Sequence, residues 1–92
     1  MQSDKLAVRR RRCLFRAQHR GTKEMDWLLG RYAQTQLASA DAAEVTLWER
    51  LVQVPDPQLY DWIVNGIAVQ DVDFASTIID IRAVHGLSAT IC

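Results

Sequence analysis

The side chains best suited to molecular recognition lie between residues 16 and 26 of this 92-residue chain, and residues 20–26 read Arg-Gly-Thr-Lys-Glu-Met-Asp. Arg20 offers a planar fork of donors that fits a carboxylate, a phosphate or a carbonyl. Gly21 permits positive φ and lets a partner's main chain come close. Glu24 and Asp26 fall in the first turn of a predicted helix, where the helix dipole favours negative charge. These residue types predict a contact site for a partner.

Spacing alone leaves a simpler interpretation of this segment open. Arg20 and Glu24 are four positions apart, so they could pair with each other while Gly21 merely ends a helix. A turn between two helices, however, needs only a glycine and a cap. The charged and polar side chains crowded here exceed that need, and we predict that they bind a partner: Arg16, His19, Arg20, Lys23, Glu24 and Asp26.

Residues that could support catalysis or hold a metal do not form a recognisable set. His19 and His85 lack a second ligand at metal-site spacing. No serine or cysteine has a base beside it, and the sequence has no glycine-rich phosphate loop. Cys13 and Cys92 lie far apart in the chain and are predicted to be free thiols. We therefore expect no catalytic residue and no metal site.

Charge is divided unevenly along the chain. Residues 1–31 carry nine basic and three acidic side chains, a net charge of +6, whereas residues 32–92 carry two and eight, a net charge of −6. The run at 9–12 consists of four arginines, which suggests phosphate binding. A helix would point them around its circumference, and no aromatic residues interleave to stack on bases. We therefore expect no nucleic-acid partner. Weak nucleic-acid binding through this run is kept as an alternative.

Apolar residues recur at helical spacing in five segments, and no segment alternates as a strand does. The first helix is predicted at about residues 4–17 and the last at about residues 73–85. Thr22 is predicted to cap the second helix, Asp41 with Glu44 the third, and Asp56 the fourth, with Pro57 at its first position. We predict an all-α fold, a compact single-domain bundle of five helices over residues 1–92, with frayed ends at about 1–3 and 87–92.

The core is predicted from the apolar stripes of these helices. The residues assigned to it are Leu6, Cys13, Leu14 and Ala17; Met25, Leu28, Leu29, Tyr32 and Ala33; Val45, Trp48, Leu51 and Val52; Leu59, Tyr60, Trp62 and Ile63; and Phe74, Ile78, Ile81 and Val84.

Targeting signals are weak in this sequence. No apolar run approaches the roughly 18 residues of a membrane span, and the first residues do not resemble a secretory signal. The arginine run could be taken for a mitochondrial presequence, but the core-like Leu6, Cys13 and Leu14 favour its belonging to the folded domain. Because the chain starts almost directly on its first helix, we expect bacterial cytoplasm rather than the mitochondrial matrix.

The segment at 20–26 resembles the RGxxE[LM]D signature of the SdhE family of succinate dehydrogenase flavinylation factors, called succinate dehydrogenase assembly factor 2 in mitochondria. Residues 12–19, 28–33 and 55–62 are also similar to family segments. A lone RGxxE would be a weak match. Together with the DP-x-L-x-x-W segment some thirty residues downstream, the resemblance is specific.

This resemblance implies a compact five-helix assembly chaperone rather than an enzyme. Its partner would be the flavoprotein subunit of succinate dehydrogenase, and often that of fumarate reductase. The factor would promote covalent attachment of FAD to a histidine of the partner through the 8α-methyl group of the flavin, while holding no cofactor stably itself. We expect the free factor to be a monomer.

The signature assigns site residues one by one. Arg20, Gly21, Glu24 and Asp26 match it and are the principal candidates for flavoprotein contact. By position, the secondary candidates are Arg16, His19 and Lys23. The matching Asp56, Pro57 and Trp62 are interpreted as cap and core. The family departures are His19, where tyrosine or arginine is common, and Met25, which replaces a frequent leucine.

A different class of function stays open beside this one, namely an antitoxin-like or regulatory interaction module. Burial discriminates between the interpretations of the motif. If Arg20 and Glu24 pair inside the fold, the contact site is weakened, and if they project with Gly21 exposed, it is strengthened. We also expect Glu24→Ala and Gly21→Arg to leave the fold intact while reducing covalent flavin on the flavoprotein subunit.

Overall fold

The computed structural model describes residues 2–87, with side chains from residue 5 onward. Its helices are α1 (Gln2–Gln18), α2 (Lys23–Leu37), α3 (Ala42–Leu51), α4 (Asp56–Ile63) and α5 (Val72–Val84). No strand occurs within this range, so the prediction of an all-α, five-helix fold is confirmed. Of the ends predicted to fray, residues 2 and 3 belong to α1, whereas residue 1, residues 88–92 and with them Cys92 lie outside the described range.

The chain divides into two compact units, Met1–Gln53 with α1 to α3 and Val54–Cys92 with α4 and α5. In the first unit, α2 and α3 begin at the predicted caps. The Thr22 hydroxyl accepts from the backbone N–H of Met25 at 3.2 Å. Asp41 and Glu44 form a reciprocal capping box, with bonds of 2.8 and 2.9 Å. Each cap satisfies N–H groups that the helix leaves unpaired and stabilises it by about 1 kcal/mol.

The core of the first unit follows the predicted stripes of α2 and α3, whose assigned residues are all buried. In α1, Cys13 and Ala17 are buried, while Leu6 and Leu14 are only half-buried. Gly30 is buried where α2 passes the end of α1. A Cβ atom there would lie 2.8 Å from Gln18 Cγ and 3.0 Å from Gln18 Cα, too close for an ordinary contact. The glycine therefore permits the close approach that places the turn between α1 and α2.

In the second unit, α4 begins differently from the prediction. Pro55, not Asp56, is the N-cap, and Pro57 is the second helical residue. The physical reason is that the Pro55 carbonyl already accepts helical bonds from Gln58 and Leu59, at 3.0 and 3.1 Å. Pro57 fits at the second position as well, because the first four N–H groups of a helix have no partner within it.

Packing within the second unit uses Leu59, Ile63, Phe74, Ile78 and Ile81, all buried as predicted. Tyr60 and Trp62 are half-buried, and the Trp62 ring lies 6.0 Å from that of Phe74. The assignment of Val84 to the core is wrong, since its side chain is 55% exposed at the last residue of α5. That helix begins one residue earlier than predicted, because Asp71 caps it through the N–H of Asp73.

Candidate functional site

The motif turn, residues 19–26, links the end of α1 to the first turn of α2. Gly21 has φ of +111°, which side-chain-bearing residues adopt only with strain. Apart from its two chain neighbours, no described residue has an atom within 4 Å of the position that its Cβ would take. Gly21 is thus required by the turn and also leaves open space beside it. The expectation that Gly21→Arg leaves the fold intact stays a prediction, and the positive φ adds to it that any side chain strains this backbone.

Arg20 and Asp26 hold the motif turn from inside. Both are half-buried, and Asp26 Oδ1 accepts the backbone N–H of Arg20. The Arg20 guanidinium donates through Nη1 to the carbonyl of Val52, just past the end of α3. These bonds tie the turn to α2 and to α3. Arg20 therefore has a positioning role that its place in the sequence does not reveal.

Glu24 has the opposite environment. Its side chain is exposed in the first turn of α2 and makes no hydrogen bond or ion pair with any described residue. The simpler interpretation, in which Arg20 pairs with Glu24, is therefore wrong. Its neighbour Lys23 is likewise exposed and has no such partner in the range 2–87. Met25 beside it is 3% exposed, and with the Thr22 cap it fixes this turn while the carboxylate of Glu24 faces solvent.

Arg16, in the last turn of α1, and His19, just after this helix, add exposed side chains. His19 Nδ1 lies 2.8 Å from the Phe15 carbonyl, which can only accept, so Nδ1 carries a proton. The imidazole stacks on the Phe15 ring, with centroids 4.0 Å apart and planes 17° apart. Phe15 is 61% exposed and was not predicted as part of the site. Its sequence signal was an aromatic residue four positions before His19, outside the apolar stripe.

The arginine run is split by its contacts. Arg9 donates to both carboxylate oxygens of Glu49, at 2.8 and 3.0 Å, and to the Thr46 hydroxyl at 3.1 Å. Hydrogen bonding from Arg9 lowers the pKa of Glu49 below its usual range. Arg10 Nε donates to the Ala40 carbonyl at 2.8 Å. Arg9 and Arg10 thus bind α1 to other parts of its unit. The run therefore does not offer a continuous surface for phosphates.

Reactive and metal-binding groups give no second candidate site within the described part of the chain. Cys13 is buried, and burial raises the pKa of its thiol, so the sulfur stays protonated and unreactive near neutral pH. No group of three potential metal ligands occurs among residues 2–87. None of the described helices is both long and apolar enough to cross a membrane.

The fold and the motif turn define a class of protein, a small all-helical protein with a fixed turn that presents charged side chains. Comparison with known proteins gives the family. Residues 11–85 match the family described as flavinator of succinate dehydrogenase, and the chain belongs to that family. The resemblance noted from the motif is thereby confirmed.

Named relatives are bacterial and mitochondrial. The chain is 47% identical over 60 residues to the FAD assembly factor SdhE of Acetobacter pasteurianus, covering 65% of this chain and 55% of the relative. It is 36% identical over 64 residues to that of Xylella fastidiosa strain 9a5c, covering 70% and 66%. A mitochondrial succinate dehydrogenase assembly factor 2, from Scheffersomyces stipitis, is 31% identical over 61 residues, covering 66% and 41%. The chain thus spans about 55 to 66% of the length of the first two relatives. No solved structure gives a significant match.

Proposed function

We propose that this chain is an assembly factor that binds the flavoprotein subunit of succinate dehydrogenase and promotes covalent attachment of FAD to it. The names of two relatives, FAD assembly factor SdhE and succinate dehydrogenase assembly factor 2, support this proposal. The observation that carries the proposal is Glu24, an exposed carboxylate without a partner among the described residues, held on a capped turn beside the open space at Gly21. A buried or paired Glu24 would instead suggest a purely structural motif.

The motif residues divide the work of binding. Arg20 and Asp26 position the turn, while Glu24 and Lys23 contact the flavoprotein directly. Gly21 lets the partner's main chain approach, since nothing occupies the space where a side chain would be. A carboxylate that meets a cation or an N–H across a desolvated interface forms a charge-assisted bond, stronger than the same contact in water.

Arg16 and His19 extend this contact surface along α1, with Phe15 as its apolar part. Phe15 and His19 already stack, so little side-chain freedom is lost when a partner covers them. Aromatic and arginine side chains supply much of the binding energy at protein interfaces. This surface is the place where the flavoprotein docks.

The bond-forming chemistry belongs to the flavoprotein in this proposal, and the factor is not an enzyme and keeps no FAD. Its contribution is to hold the partner so that the acceptor histidine reaches the flavin. The fumarate reductase flavoprotein is a second partner. The free factor is a monomer and acts in bacterial cytoplasm.

The test is covalent flavin on the succinate dehydrogenase flavoprotein, read as in-gel fluorescence in cells that lack their own factor. The chain should restore fluorescence, and Glu24→Gln should lower it by about tenfold, the loss of one charge-assisted contact. Glu24→Asp should restore part of it, because the charge remains. Gln36→Ala, an exposed truncation on the same helix, is the matched control and should act as the unaltered chain does.

Two results would contradict different parts of the proposal. If the unaltered chain fails to restore covalent flavin although it is expressed and folded, the function is wrong, and a regulatory interaction module takes its place. If Glu24→Gln restores as much fluorescence as the unaltered chain, the function stands and the assigned site is wrong.

A further inference from the structure

A cleft of about 230 Å³ lies in the first unit between α1 and the end of α3. Two arginines one helical turn apart line it, Arg12 and Arg16, so their side chains are neighbours on the surface of α1. Both are exposed, and neither guanidinium makes a hydrogen bond or ion pair with a described residue. The remaining lining residues are Cys13, Glu49, Val52 and Gln53.

Charges around the cleft favour an anion. Among the described residues that line it, Glu49 is the one with a carboxylate, and Arg9 already engages both of its oxygens. The buried Cys13 thiol adds no negative charge, since burial raises its pKa. Arg12 and Arg16 therefore bring two positive charges to a lining whose described carboxylate, Glu49, is already hydrogen-bonded by Arg9, and the amide of Gln53 is a further donor in the same lining.

We propose that this cleft binds a carboxylate side chain of a protein partner, held between Arg12 and Arg16. The inference rests on the proposed function for the partner's identity, the flavoprotein, and adds a second contact of stated chemistry to it. Arg9 and Glu49 show the same guanidinium–carboxylate pairing in the adjoining wall, with bonds of 2.8 and 3.0 Å.

A carboxylate fits this cleft better than a phosphate does. The wall of the cleft already holds one carboxylate, that of Glu49, in a pair with a guanidinium, so this lining accommodates a carboxylate. The exposed Phe15, beside Arg16 in α1, offers apolar contact to a protein segment, whereas a free ion would make no use of it. Both observations favour an aspartate or glutamate of a protein.

The first test uses the free chain and is independent of the flavoprotein. A blocked tetrapeptide with two central glutamates is titrated while the arginine Nε–H signals are followed by NMR, with the glutamine analogue as neutral probe. The signals of Arg12 and Arg16 should shift with the acidic peptide only. In the double variant Arg12→Gln/Arg16→Gln, affinity should fall at least about fivefold. The matched control is Arg11→Gln/Arg31→Gln, which removes two exposed arginines outside the cleft and should change affinity less than about twofold.

Either of two outcomes would overturn the inference. If the acidic peptide shifts Arg11 and Arg31 as much as the cleft arginines, it binds through overall charge and the cleft is not a site. If inorganic phosphate binds the cleft more tightly than the peptide, the site takes phosphate and not a carboxylate.

The second test measures binding to the flavoprotein subunit by calorimetry. Arg12→Gln/Arg16→Gln should weaken the complex by about tenfold or more, as loss of a charge-assisted contact requires, and the control pair should not. If the cleft variant binds the flavoprotein as tightly as the unaltered chain does, no flavoprotein carboxylate binds in the cleft, and the proposed function still stands. Absence of any complex with the unaltered chain would instead contradict the proposed function, with the peptide titration still deciding whether the cleft binds a carboxylate.

Discussion

Two segments of this chain resemble the same family, yet their side chains have opposite environments. In the motif turn of the first unit, Glu24 is exposed and without a partner in the described range. In the α4 segment of the second unit, Leu59 is fully buried and the Trp62 ring packs near Phe74. The first segment holds charge in solvent, where only a partner can use it. The second holds apolar area away from water, where it stabilises its own unit.

Residues can therefore match a family pattern for at least two physical reasons, because they stabilise the fold or because they contact a partner. The burial of the side chain distinguishes the two. Even within the motif turn the two are mixed. Arg20 and Asp26 are bonded inside the unit, and Gly21 serves the backbone, so only part of the signature faces outward. Substitutions should therefore fall into classes that change stability, contact or both.

Leu59→Ala should have the largest effect. It removes a side chain that is 0% exposed, and we expect the free energy of unfolding to fall by about 2 to 5 kcal/mol. Urea unfolding followed by circular dichroism measures this. The neighbouring Gln58→Ala, at an exposed position, is the control and should change little. A loss for Leu59→Ala no larger than the control's would show that the α4 segment is not a stability element.

Gly21→Ala should come next, with a loss of about 1 to 2 kcal/mol from backbone strain alone, since no neighbour would contact the added methyl group. Gly86 gives a sharp comparison, because its φ of +71° lies near the left-handed helical region that asparagine tolerates. Gly86→Asn should therefore cost less than Gly21→Asn in the same urea experiment. Equal costs would mean that the turn at Gly21 relaxes to an ordinary conformation.

Glu24→Gln should change the free energy of unfolding by about 0.5 kcal/mol or less, the value of a favourable charge near a helix N-terminus. It should nevertheless lower covalent flavin on the partner. Measuring both in one variant tests whether the motif turn separates contact from stability. A large loss of stability would place Glu24 in the same class as Leu59 and remove the contrast between the two segments.

Interactions between residues close together in the sequence could be predicted from it, and those between distant residues could not. The Thr22 and Asp41 caps join groups three residues apart, and both were predicted correctly. Asp56 was predicted as the cap of α4, and this was wrong by one residue, because the Pro55 carbonyl already accepts the first helical bonds.

Contacts between distant residues left no local signal. Arg20 donates to a carbonyl 32 positions away, and Gln18 lies so close to residue 30 that only glycine fits there without a shift. The arginine run looked uniform for the same reason, because the partners of Arg9 and Arg10 come from a later part of the chain. The exposed Glu24, in contrast, could be nominated from the motif, although only its surroundings show that it is unpaired.

The smallest predicted effect is on stability and concerns Glu49, a carboxylate that, unlike Glu24, is paired within the first unit. Arg9 holds the pKa of Glu49 below its usual value, so the folded state binds a proton less readily than the unfolded chain. This stabilisation is complete above the unfolded pKa of glutamate, about 4.3, and is lost as pH falls through the lower folded pKa. Glu49→Gln should therefore melt slightly below the unaltered chain at pH 7, and the two melting temperatures should converge below about pH 4. Added salt should narrow the gap at pH 7, because the pair is partly exposed. A gap that stays constant from pH 7 to about pH 3 would mean that packing, not the charge of Glu49, is what the substitution changes.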